Sequence, residues 1–168
     1  MTNFIKIENK INKFNKKISI DGDKSLSIRW ALLSSQSQKK CRSKNLLLSE
    51  DVISTLNCLK KLGVKIKLTK NFCEIKGLGL NGYRYKNNLI LNAGNSGTLA
   101  RLLLGILSTT PNLELKIKGD HSLNKRSMKE LINLMQKFGA TFLPKNKYSF
   151  PLKLISSNTP IGINYKSG

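Results

Sequence analysis

The chain reads as an α/β protein of repeated βαβαββ units, two of them followed by the start of a third. Three observations predict this. A small-residue turn running into an apolar helix occurs twice, 72 residues apart: Asp21-Gly22-Asp23-Lys24-Ser25-Leu26-Ser27-Ile28-Arg29 and Ala93-Gly94-Asn95-Ser96-Gly97-Thr98-Leu99-Ala100-Arg101. A second helical pattern ending in glycine also recurs, Asn57-Cys58-Leu59-Lys60-Lys61-Leu62-Gly63 and Asn133-Leu134-Met135-Gln136-Lys137-Phe138-Gly139. Each of those glycines is followed by two short runs of strand character. A period of about 70 residues is too long for a solenoid and fits a duplicated subdomain.

Taken in order, the first unit covers roughly 17–82 and the second 88–157, and 158–168 open a third. Asn87-Asn88 and Ser156-Ser157-Asn158-Thr159-Pro160 read as the joints. A strand from Lys17 leads into the first turn, and Ser25 is the expected N-cap of the helix behind it. The next helix has apolar residues at Val52, Leu56 and Leu59, with Gly63 as a left-handed C-cap. Strands at Val64–Leu68 and Cys73–Lys76 complete the unit. In the second unit the helix after Ser96 has a packing stripe of Leu99, Leu102, Leu103, Ile106 and Leu107, with Gly97, Thr98, Arg101 and Gly105 opposite. Met128, Ile132 and Met135 mark the later helix, Gly139 its C-cap, and Ala140–Leu143 and Leu152–Ile155 the closing strands. Ile161–Tyr165 reads as the first strand of unit three.

Composition narrows the class. No run of eighteen apolar residues is present, so no membrane-spanning helix is expected, and the first twenty residues show no secretory or transit pattern. Cys41, Cys58 and Cys73 are widely spaced and lack C-x-x-C, which points to reduced thiols in a cytoplasm and to no metal site. Thirty Lys and Arg against nine Asp and Glu give a formal charge of +21. Compositional drift toward Lys, Asn and Ile, anionic substrates, and nucleic acid each account for such an excess. Arginine is the sharper signal, because only five of the thirty basic residues are Arg, and Arg29, Arg101 and Arg126 fall in the motifs.

Three constellations suit anions. Lys24, Ser25 and Arg29 place an ammonium, a hydroxyl and a guanidinium at one helix start. An ordinary capped helix with solvated cations would read the same way. Asn95, Gly97, Thr98 and Arg101 offer open backbone and one cation at the second start. Gly119-Asp120-His121-Ser122-Leu123-Asn124-Lys125-Arg126 sets Lys125 and Arg126 near the start of the later helix, where they oppose its dipole unless an anion binds. His121, the one histidine, is expected in a loop, and no carboxylate pair for acid–base work is evident.

Together these three blocks resemble the 5-enolpyruvylshikimate-3-phosphate synthase family in order and spacing, over Lys17 to Gly168. The sister family, UDP-N-acetylglucosamine enolpyruvyltransferase, has a Lys-Asn pair where this chain has Lys24-Ser25. The resemblance implies the enolpyruvyl transferase fold and carboxyvinyl transfer from phosphoenolpyruvate to the 5-hydroxyl of shikimate 3-phosphate. It implies that Lys24 serves catalysis and contacts both substrates. Ser25 and Arg29 would then bind shikimate 3-phosphate, and Asn95, Gly97, Thr98, Arg101 and Arg126 phosphoenolpyruvate. No cofactor, metal, nucleic acid or membrane enters that reading, and family members are usually monomeric. Ser127 and Trp30 depart from the family pattern without removing a ligand. Length is the larger departure. The resemblance implies an N-terminal portion without the C-terminal domain that moves protons, and so a chain inactive alone. A sugar-nucleotide enolpyruvyltransferase and a basic RNA-binding α/β module are the alternatives, the latter short of aromatics for base stacking.

Overall fold

The computed structural model describes residues 17–86 and 88–166, with Lys6, Lys13 and Asn15 besides. Most of the first twenty residues, the Asn87 joint and the Gly168 end of the third-unit reading therefore lie outside the described residues.

Unit one consists of α1 (Lys24–Ser35), β1 (Lys40–Ser43), α2 (Glu50–Lys61), β2 (Lys65–Leu68) and β3 (Cys73–Lys76). Its sheet is antiparallel in the order β1-β3-β2, with Cys41 and Ile66 both opposite Ile75. Unit two consists of β4 (Ile90–Asn92), α3 (Gly97–Ser108), β5 (Glu114–Lys118), the short α4 (His121–Lys125), α5 (Lys129–Lys137), β6 (Thr141–Leu143) and β7 (Leu152–Ile155). Here the order is β4-β5-β7-β6, and only the β4–β5 pair, joined through α3, is parallel. That pairing is what a β–helix–β crossover requires.

The glycine-ended helices behave as the sequence predicts. Gly63 and Gly139 adopt φ of 88° and 95°, the left-handed region that glycine enters without a Cβ penalty. Gly63 N–H donates to Lys60 O and Val64 N–H to Leu59 O, and Gly139 and Ala140 repeat the pair on Gln136 and Met135. Both helices thus end in a Schellman motif that satisfies otherwise orphaned carbonyls.

Several expectations are corrected. The strand from Lys17 is not formed among the described residues: Ile18 and Ile20 are 70% and 75% exposed, so the alternation has no covered face to pack. Ile161–Tyr165 likewise forms no strand, with Ile161 and Tyr165 both exposed. The N-cap of α1 is Asp23, not Ser25; Asp23 Oδ1 accepts from Leu26 N–H at 2.7 Å, and Ser25 sits inside the first turn. On α3 the buried stripe is Leu99, Ala100, Leu103, Leu104 and Leu107, while Leu102 and Ile106 are half-buried. The helix is rotated because it packs on α1 and α5 together rather than on one neighbour. His121 begins α4 instead of lying in a loop, and α5 starts only at Lys129.

One core runs through both units, from Ile28, Leu32, Leu56 and Leu59 to Leu99, Leu103, Ile117 and Leu154. Two side chains of α2 stitch the units together along the free edge of β4. Cys58 Sγ donates to Asn92 O at 3.3 Å and Lys61 Nζ to Ile90 O at 3.0 Å. Burial pushes the Cys58 thiol up to about 11, and the nearby Lys61 ammonium offsets only part of that. This architecture brings the N-termini of α1, α2 and α3 to one side of the chain.

Candidate active site

Each helix start is held by a short local device. Ser96 caps α3, its Oγ accepting from Leu99 N–H at 3.2 Å. The N–H groups of Gly97 and Thr98 have no partner inside the helix, as in any first turn. Leu47 N–H donates to Ser27 Oγ at 3.2 Å, tying the segment before α2 to α1. Asp120 N–H donates to Gly94 O at 2.8 Å, and Gly119 N–H to Asn124 Oδ1 at 2.9 Å, which anchors α4 beside the α3 turn.

The result is a cavity of about 390 Å³ lined by Lys24, Glu50, Asp51, Asn95, Gly97, Thr98, Arg101 and Arg126. Two guanidiniums of its lining converge on Gly97. A carbon placed where a Cβ would stand lies 2.8 Å from Arg101 Nη1 and 3.2 Å from Arg126 Nη1. Arg101 Nη1 donates to Gly97 O at 3.3 Å, and Arg126 Nη2 to Asn95 Oδ1 at 2.8 Å. Neither guanidinium has a carboxylate within ion-pair distance among the described residues. Two cations converging on one glycine, beside a helix start, are in an arrangement that an anion stabilises.

Six of the eight residues singled out by sequence therefore line one cavity: Lys24, Asn95, Gly97, Thr98, Arg101 and Arg126. Ser25 and Arg29 do not. Arg29 is exposed, and its Nη1 folds back onto Ser25 O at 3.2 Å, one turn along α1. Arg126 corrects a further expectation. It is the C-cap of α4, so its charge complements that helix instead of opposing the start of α5.

Sequence reasoning missed Glu50 and Asp51, and with them the two carboxylates that the cavity contains. Asp51 Oδ2 lies 3.1 Å from Lys24 Nζ. The signal was present: Ser49-Glu50-Asp51 directly before an apolar periodic run marks a helix start. What the sequence does not show is that this start sits against that of α1.

The family described as EPSP synthase (3-phosphoshikimate 1-carboxyvinyltransferase) matches residues 8–167. The chain belongs to the EPSP synthase family. A 3-phosphoshikimate 1-carboxyvinyltransferase of Syntrophomonas wolfei is 34% identical over 96% of this chain and 37% of its own length. One from Thermoanaerobacter sp. X514 is 39% identical over 95% of this chain and 37% of its own. Among solved structures, an EPSP synthase from Acinetobacter baumannii superposes with a TM-score of 0.82 at 30% identity. That match covers 89% of this chain and 34% of the other. The chain thus spans little more than a third of the relatives it matches, and it shares with them the enolpyruvyl transferase fold.

Proposed function

We propose that this chain supplies the anion-binding half of a 3-phosphoshikimate 1-carboxyvinyltransferase. In that reaction the 5-hydroxyl oxygen of shikimate 3-phosphate loses its proton and bonds to C2 of phosphoenolpyruvate as the C2=C3 double bond opens and C3 takes up a proton. C3 then gives up a proton, the C2=C3 double bond re-forms, the C2–O bond to phosphate breaks, and inorganic phosphate leaves. The observation that carries the reading is the pair of guanidiniums at Gly97, with the Lys24 ammonium lining the same cavity. Phosphoenolpyruvate carries a phosphate and a carboxylate, and each accepts bidentate hydrogen bonds of the kind Arg101 and Arg126 offer.

Within this reading Asn95 orients Arg126, and the free N–H groups of Gly97 and Thr98 bind anionic oxygen. Lys24 stands between the two substrates. Ser25 and Arg29, next along α1, take the shikimate phosphate, with Arg29 turning from Ser25 O to reach it. The chain's part is to bind and orient, and the proton transfers are assigned to the part of the relatives' length that it does not span.

The test is a binding and turnover pair. Phosphoenolpyruvate and shikimate 3-phosphate should each bind the chain weakly, with release of phosphate only when the remaining part of a relative's enzyme is added. Robust phosphate release by the chain alone, or no binding of either compound, contradicts the proposal.

A further inference from the structure

We infer that Asp51 is a positioning residue for the anion site, holding the Lys24 ammonium at the cavity. The inference rests on the functional reading above and adds a residue to it.

Lys24 is the first residue of α1, where a cation meets the positive end of the helix dipole and is unfavourable. Asp51 is in the first turn of α2, where a carboxylate is favourable on its own account. The dipole explains Asp51 as a helix residue, but Glu50 in the same turn meets that need as well. Only Asp51 reaches Lys24, at 3.1 Å, and its side chain is 20% exposed where that of Lys24 is 51% exposed.

Cavity chemistry sharpens the point. The chain has nine acidic residues against thirty basic ones, yet two of the nine line the cavity with two guanidiniums. A carboxylate there repels the anion that the other groups attract. Its presence is accounted for if it fixes Lys24, a flexible four-carbon stem that otherwise loses rotamer freedom when it binds ligand. The pair also joins the starts of α1 and α2.

The two roles predict opposite signs. Removing a negative charge by D51N should tighten anion binding if Asp51 is merely a helix-start carboxylate. If it positions Lys24, D51N should weaken phosphoenolpyruvate binding by about two- to fivefold. E50Q should not weaken it, and D51E should restore part of the loss. A second readout needs no ligand. Acetylation of Lys24 by an N-hydroxysuccinimide ester, followed by peptide mass spectrometry, should run several-fold faster in D51N than in the original chain. Binding that tightens or stays level in D51N, or Lys24 labelling that does not change, overturns the inference and leaves the functional reading intact. Absence of phosphoenolpyruvate binding by the unsubstituted chain overturns the functional reading itself, and with it any role for Asp51.

Discussion

Gly97→Ala separates the anion site from the fold. The added methyl meets no backbone, only the tips of Arg101 and Arg126, at 2.8 Å and 3.2 Å. Ordinary contact begins near 3.4 Å, so the Arg101 tip must withdraw by roughly 0.6 Å and that of Arg126 by less. Gly97 is the first residue of α3 and is not among the positive-φ glycines, so alanine is accepted by the backbone. Helix propensity favours the change by up to about 1 kcal/mol, less at a terminus than in mid-helix. Displacing one guanidinium from an anion costs about 1.5–3 kcal/mol, the range for a hydrogen bond to a charged group, or roughly ten- to a hundredfold in affinity. Gly105→Ala is the control, because its Cβ has nothing within 4 Å. Thermal unfolding should show both variants at least as stable as the original chain. Titration with phosphoenolpyruvate, followed by calorimetry or NMR, should show the loss in Gly97→Ala alone. Affinity within twofold of the original in Gly97→Ala refutes the placement of the anion at Gly97.

Further outcomes follow from the same geometry. Arg126→Ala should weaken phosphoenolpyruvate binding by a comparable factor without lowering the melting temperature, since the side chain is exposed and bonds only Asn95. Asp23→Ala should cost about 1 kcal/mol in denaturant unfolding through loss of the α1 N-cap, while Ser25→Ala should cost much less. Thiol titration near pH 8 should find Cys41 reacting first and Cys58 and Cys73 protected until the chain is denatured, because burial raises both of their pKa values. Cys58 is held as the neutral thiol in the fold. Its contribution to stability is therefore complete below about pH 9 and lost as pH rises toward about 11, which alkaline unfolding curves of Cys58→Ser would lack.

The elements most legible in the sequence were those fixed by local rules. Gly63 and Gly139 were readable as C-caps because a left-handed residue at a helix end has few alternatives to glycine. Cys73–Lys76 and Leu152–Ile155 were readable as strands because alternation over four residues survives with one face buried. Alternation failed as a guide at Ile18–Ile20 and Ile161–Tyr165, where, among the described residues, no strand pairs with the same pattern and Ile18, Ile20, Ile161 and Tyr165 stay exposed. The α3 stripe was misread by one position in each turn, since two neighbouring helices and not one decide which face is buried. In the site, the turn motifs located Asn95, Gly97, Thr98 and Arg101. Asp51 and the direction of Arg29 depend on how α1, α2 and the α3 turn meet, which is tertiary information. Arg126 owes its place to the break between α4 and α5, which no glycine or proline in the sequence announces.

The most direct test uses the scarcity of arginine. With five in the chain, the guanidinium Nε–H signals of Arg29, Arg42, Arg84, Arg101 and Arg126 can be followed one by one in a ¹⁵N NMR titration. Addition of phosphoenolpyruvate should move Arg101 and Arg126 together and leave Arg42, paired with Glu74 at 2.8 Å, in place. Signals that stay still at Arg101 and Arg126, or move equally at all five, would show that no shared anion site exists at Gly97.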